Sequence, residues 1–315
     1  MPTQQSSFGP IAQPKSATLK AALWRLQRRL EFKLATLKRR VTPDSVHEVR
    51  TTARRLRALL HGFRAQLSPS SARWYRYWLK RVIGELGGLR DADVARQSIA
   101  VLAKTAHGKR RDALDSLSAG LDQHRRRLAE RLQTRMAKSA WSRDVRKLRA
   151  AAADAALILP NSRPIAVVTR SLLAHRRRRM RARLRRAKRS EYALHRLRLK
   201  VRRLRYFLEE SARFGAGLRG ARELRVLERL QDCLGQLHDL VVLKELSKGA
   251  ASSRVARKAL RKKCDARRKR LLSDYDESRV ALLHLWGAMP TEPTLGDYPN
   301  DNAPSTLYLN TDSSA

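Results

Sequence analysis

The sequence predicts an all-α protein, made of two four-helix bundles that arise from an internal duplication and are related by a pseudo-twofold axis. Three observations predict it. Gly (14) and Pro (11) are scarce for 315 residues. Strand-like alternation of apolar and polar residues is rare. One basic word occurs twice, at an offset of 148 residues. Hydrophobic residues make up 42 %, which is enough to bury a sizeable core.

The elements follow in order. In the first half, helices are expected near 17–40, 44–66, 70–106 (broken around Gly84 to Gly88) and 108–150. Pro43 and Asp44 open the second of these, with Thr42 or Asp44 as its cap. In the second half they are expected near 165–189, 192–214, 218–248 and 251–287. The stretch Leu159-Pro160-Asn161-Ser162-Arg163-Pro164 interrupts the pattern, separating repeat one (17–158) from repeat two (165–287). Residues 1–16 are rich in Pro, Ser and Gln and read as disordered. Residues 288–315 hold four acids, no Lys or Arg, and the helix breakers Pro290, Pro293, Pro299 and Pro304. They read as a disordered acidic tail.

The duplication rests on two aligned words. VHEVRTTARRLR at 46–57 falls on LHRLRLKVRRLR at 194–205. Without a gap, LGGLRDADV at 86–94 falls on LGQLHDLVV at 234–242. A gapless register over that distance is the mark of a repeat.

Charge sets the class of partner. Lys and Arg number 70 against 28 Asp and Glu, a net charge of +42. The tail removes four of those charges, so the chain before it carries +46. A compact body with that charge repels itself, and an anionic partner relieves the repulsion. Of the bases, 53 are Arg, whose planar fork grips phosphate oxygens in pairs.

The repeated word places its charges in order. Val46, Val49, Ala53, Leu56, Leu60 and Phe63 form an apolar stripe on one helix. His47, Arg50, Arg54 and Arg57 form a second stripe about 100° away, bordering the core side and running roughly 15 Å. His195, Arg198, Arg202 and Arg205 repeat it beside Leu194, Leu197, Val201, Leu204 and Leu208. Like charges at helical spacing destabilise a bare helix, so a linear array suits a linear polyanion. The first helix of each half adds basic residues, among them Arg28 and Lys33 in one, Arg176 and Arg181 in the other. The Leu-Gly-x-Leu-x-Asp words are expected to pack helices through Gly87 and Gly235. Asp91, with Asp93 nearby, and Asp239 either position a stripe arginine, the favoured reading, or coordinate a cation.

The twice-repeated His-x-x-Arg-x-x-x-Arg-x-Leu-Arg word, followed by Leu-Gly-x-Leu-x-Asp, resembles the CHAD family, the conserved histidine α-helical domain. The resemblance covers roughly residues 17–287. It implies two four-helix bundles around a basic central groove, binding of inorganic polyphosphate, and association with polyphosphate granules. Carried over, the binding residues are His47, Arg50, Arg54, Arg57, His195, Arg198, Arg202 and Arg205, with first-helix basics beside them. The second Asp word departs from the first, because Val241 stands where the first repeat has Asp93.

Other classes fit less well. There is no phosphate-cradling glycine loop and no Gly-x-Ser-x-Gly, and no catalytic residue or cofactor is expected. The histidines are dispersed, and flanking arginines oppose a dication, so no metal site is expected. Nucleic acid is the alternative partner, as a weaker polyanion; aromatics are only 5 %, too few for a clear stacking platform. No apolar run is long enough to cross a membrane, and no secretory signal opens the chain. Two cysteines exclude a disulfide framework and fit a reducing cytoplasm.

Overall fold

A computed structural model of the chain describes residues 19–155, 165–214, 221–249 and 254–288. The termini expected to be disordered, apart from Ala288, lie outside the described residues, as does the break at 159–164. The described residues form α-helices and one short 3-10 turn, with no strand. In chain order the helices are α1 (Leu19–Arg39), α2 (Pro43–Gly62), α3 (Pro69–Glu85), α4 (Gly87–Ala103) and α5 (Lys109–Ala137). They continue with α6 (Ser139–Ala155), α7 (Ile165–Arg185), α8 (Glu191–Ser211), α9 (Ala221–Gly249) and α10 (Arg254–Gly287).

Local chemistry explains the boundaries that matter for the site. Thr42 caps α2: its Oγ1 accepts from the Ser45 amide at 3.1 Å, and Ser45 Oγ accepts from the Thr42 amide at 2.9 Å. This reciprocal box, with Pro43 at the first helical position, fixes where α2 starts. Asp44 is not the cap but sits in the first turn, where its charge suits the helix dipole. The expected break in 70–106 falls at Leu86, between α3 and α4. The expected single helix over 108–150 is two helices. Lys138 is extended (φ −66°, ψ 143°), and the turn brings Trp141 against Trp78, ring centroids 6.2 Å apart.

The two halves meet through α2 and α8, which pack on each other at the centre. α1 lies against α2 and α7 against α8, while α4 packs on α9. Every residue of the expected apolar stripes, from Val46 to Phe63 on the α2 side and Leu194 to Leu208 on α8, is buried. One core runs through both halves, joining Leu56, Leu59 and Phe63 to Leu204, Phe207 and Leu208. A second core is also shared, with Ile99 and Leu117 from α4 and α5 meeting Leu243 and Leu260 from α9 and α10. Burial of apolar area therefore holds the halves in one register.

Two details tighten the crossing. A Cβ on Gly62 would lie 2.1 Å from the Phe207 ring, so α2 approaches α8 only because residue 62 has no side chain. Buried Glu210 of α8 accepts from Arg25 of α1 at 2.8 Å and from Arg55 of α2 at 3.1 Å. A carboxylate that deep is costly to bury without such partners. Gly235, expected to permit a close approach, does not: α9 runs unbroken through it, with no atom near a would-be Cβ.

Candidate functional site

The α2–α8 crossing brings both basic stripes toward one seam. Arg50 and Arg54 come from α2, Arg198 and Arg202 from α8; Arg202 feels Arg54, Arg198 and Arg50, Arg50 feels Arg54 and Arg198, and Arg54 feels Arg198. Arg50 is 8 % exposed, and the other three are half-buried. Burial first, then Arg54, holds Arg50 down to about 10. Burial first, then Arg54, Arg198 and Arg50, holds Arg202 down to about 8. Arg54 and Arg198 are lowered too, chiefly by burial. A guanidinium keeps its proton at neutral pH, so the cost stays in the fold as crowded, poorly hydrated charge.

Geometry holds the heads in place. Arg50 Nη1 donates to the Ile83 carbonyl at 2.9 Å. That carbonyl lies in the last turn of α3, which ends two residues later at the break. Its Nη1 also lies 3.5 Å from where a Gly87 Cβ would stand. Arg50 Nε and Arg54 Nε are buried with no hydrogen-bond partner, so donors remain free inside the seam. Asp91 of α4 and Asp239 of α9 face the cluster. Burial raises both carboxyls, and Arg50 and Arg198 act against that rise on Asp91, as Arg198 does on Asp239. Neither makes a close ion pair with a stripe arginine, so they balance the cluster without occupying its donors. Asp93, by contrast, is paired with Arg125 of α5 and serves packing.

The histidines sit at the edge. His47 is exposed, and partial desolvation first, then Arg90, Arg54 and Arg50, lowers it. His195 Nδ1 lies 3.3 Å from His238 Nδ1. Burial first, then Arg198 and His195, pushes His238 down to about 4. At the 148-residue offset Arg90 falls on His238, in the variable position of Leu-x-Asp, and both flank a histidine of the basic stripes. Sequence reasoning missed them. The available signal was that this position is basic in both words.

Not every expected residue joins the seam. Arg205 is turned toward α9, where it meets Glu228 at 2.8 Å and Gln231 at 2.9 Å, and it also pairs with Glu209 at 3.0 Å. Arg57 lies on the α2 stripe but borders a neighbouring cleft of about 340 Å³ with His61, Arg76, Lys80 and Arg203. Arg176 serves the same region from α7: its guanidinium lies 4.1 Å over the Phe207 ring and it feels Arg64 and Arg203. Burial first, then Arg203 and Arg176, pushes His61 down to about 4. Lys33 is tied to Glu48 at 2.7 Å. Arg28 is exposed on α1. Arg181 reaches the end of α10, near Gly287. Among the described residues, no group of three His, Cys, Asp or Glu could hold a metal ion. No described helix is long and apolar enough to cross a membrane.

An all-α body whose two halves turn their arginines toward one shared seam is the class defined here. Residues 17–248 match the CHAD domain, and the chain belongs to that family. The crystal structure of the CHAD domain from the plant Ricinus communis is similar, with a TM-score of 0.70 and 23 % identity. That match covers 90 % of this chain and 99 % of the plant one. PptA from Streptomyces chartreusis is similar with a TM-score of 0.63 at 17 % identity, covering 85 % of this chain and 98 % of PptA. At those identities the two structures speak for the fold. No curated protein matches the chain.

Proposed function

We propose that this protein binds inorganic polyphosphate, without catalysis, along the seam between α2 and α8. The two halves, 17–158 and 165–287, are the repeats that each supply one stripe. The observation that carries the reading is the convergence of Arg50 and Arg54 with Arg198 and Arg202, all buried or half-buried. Four crowded guanidiniums faced by two carboxylates leave uncompensated positive charge. A bare phosphate chain is narrow, repeats its charge along its length, and accepts hydrogen bonds from guanidinium N–H groups in pairs. The cleft beside Arg57 and Arg203 extends the path along the same face of α2.

Nucleic acid fits this seam less well. Tyr206, beside the four arginines, is buried and offers a base no face to stack on; the exposed rings nearby, Tyr77 and Tyr192, stand only at the ends of the path. Granule association follows from the same contacts, since a granule presents the same polymer.

The test compares two quadruple variants for affinity toward long-chain polyphosphate. One replaces Arg50, Arg54, Arg198 and Arg202 with Ala. The other replaces the exposed Arg131, Arg143, Arg146 and Arg257. The seam variant is expected to lose at least about a hundredfold, as charge-assisted hydrogen bonds to several phosphates disappear together. The surface variant should lose only a few-fold. Equal losses would mean a diffuse charge effect and no site.

A further inference from the structure

A second basic surface is built on the opposite side of α8. Between α7 and α8, at the end where their connecting turn lies, is a groove of about 580 Å³. Arg179, Arg183, Arg186, Lys188, Arg196 and Lys200 line it, and no acidic residue does. Arg196 and Lys200 each stand two residues from Arg198, which is 200° around the helix. The groove and the seam therefore share a helix but face away from each other. Lys200 feels Arg203, Arg183, Arg196 and Arg179, so these cations form one cluster.

The groove differs from the seam in chemistry. Its floor includes Leu197, Ala187 and Ala193, and Tyr192 stands on its wall with 70 % of its surface exposed. Arg196 lies 5.5 Å from the Tyr192 ring centroid and its Nη1 donates to the tyrosine hydroxyl at 3.2 Å. That contact steadies the ring. A ligand that matches this surface carries phosphates and flat apolar faces together. Polyphosphate has no apolar face. A duplex hides its base faces. An anionic membrane meets convex apolar surfaces, not a groove.

We propose that the α7–α8 groove binds single-stranded nucleic acid, with its phosphates on the cations and a base stacked on Tyr192. The groove's cations lie on the side of α8 away from the seam arginines, so one molecule holds a phosphate polymer on one side and a single strand on the other; Tyr192 stands on the ridge between them, since it also borders the pocket beside His195 and His238.

The experiment follows fluorescence anisotropy of a labelled ten-nucleotide oligothymidylate with the full chain. Tyr192→Ala is expected to weaken binding about tenfold or more, the effect of one lost base–aromatic stack. Tyr192→Phe should stay within about twofold of the original, because the ring remains. An abasic ten-mer should bind equally weakly to all three proteins. Arg54→Ala with Arg202→Ala should leave oligothymidylate binding unchanged while polyphosphate binding falls, which separates this site from the seam. Failure of the polyphosphate arm alone would sink the seam reading and leave the groove standing. The groove proposal is overturned if Tyr192→Ala binds oligothymidylate as well as the original protein. It is overturned equally if the abasic strand binds the original protein as tightly as the thymidylate, or if Tyr192→Ala impairs binding only to anionic lipid vesicles.

Discussion

His195 and His238 face each other across α8 and α9 with their Nδ1 atoms 3.3 Å apart. Their counterparts by the 148-residue offset are His47 and Arg90, which also interact. On both α2 and α8 a second basic group thus stands beside the stripe histidine, at the edge of the arginine seam. At 3.3 Å one ring nitrogen donates and the other accepts, and burial first, then Arg198, lowers both rings, so the pair is neutral at pH 7 in the free protein.

That neutrality has a consequence for binding. Burial and nearby arginines lower His47, His195 and His238 in the free protein. A phosphate chain in the seam offsets the arginine charge and raises the histidines. Binding is therefore expected to take up protons, and affinity to increase as pH falls from about 7.5 to 5.5. Titration calorimetry in buffers of different ionisation enthalpy measures the uptake. His238→Asn, which cannot be protonated, should flatten the pH dependence.

The same residues predict a stability profile without ligand. His61 and His238 are pushed down to about 4, below their unfolded value of 6.5. The unfolded chain then binds more protons between those limits. Stability from these groups is full above about 6.5 and is lost as pH falls through about 4. Thermal melts across pH 4 to 7.5 should show the midpoint rising with pH in that window. A flat profile would mean the histidines are not held neutral.

Arg202 should trade stability for binding. It is half-buried, and Arg54, Arg198 and Arg50 press on it. Arg202→Met removes the crowded charge and keeps much of the volume. The free protein is expected to gain on the order of 1 kcal/mol, since replacing a buried charge by a packed apolar group is often stabilising. Polyphosphate affinity should fall about tenfold in the same variant, as one charge-assisted contact is lost. Denaturant melts and a binding titration measure the two effects.

Gly62 tests the crossing itself. With a Cβ 2.1 Å from the Phe207 ring, Gly62→Ala must push α2 away from α8. A loss of about 1–3 kcal/mol is expected from overpacking. Phe207→Leu in the Gly62→Ala background should restore part of it, and the partial rescue distinguishes this clash from loss of backbone flexibility.

Much of this was legible in the sequence, and the reasons it was not complete are local. The α2 and α8 stripes are read from spacing because helical periodicity alone decides which residues face the core. The α3–α4 break is read from Gly84, Gly87 and Gly88. The α5–α6 turn at Lys138 escapes that reading: no Gly or Pro marks it, and the gain comes from Trp141 reaching Trp78. Spacing also treats Arg57 and Arg205 as equivalent to their stripe neighbours. It carries no information about Glu228 and Glu209, which claim Arg205. The angle at which α8 crosses α2 decides which arginines meet, and Phe207 against Gly62 sets that crossing from far along the chain.

The central claim is that the seam recognises a linear phosphate polymer and is more than a pool of positive charge. Competition tests it most directly: long-chain polyphosphate is bound to the full-length protein, and duplex DNA is added at equal phosphate concentration and about 150 mM salt. The account predicts that polyphosphate stays bound, because the recessed, half-buried Arg54, Arg198 and Arg202 beside buried Arg50 suit a narrow chain better than a duplex. Displacement of most of the polyphosphate by DNA at that ratio would contradict it.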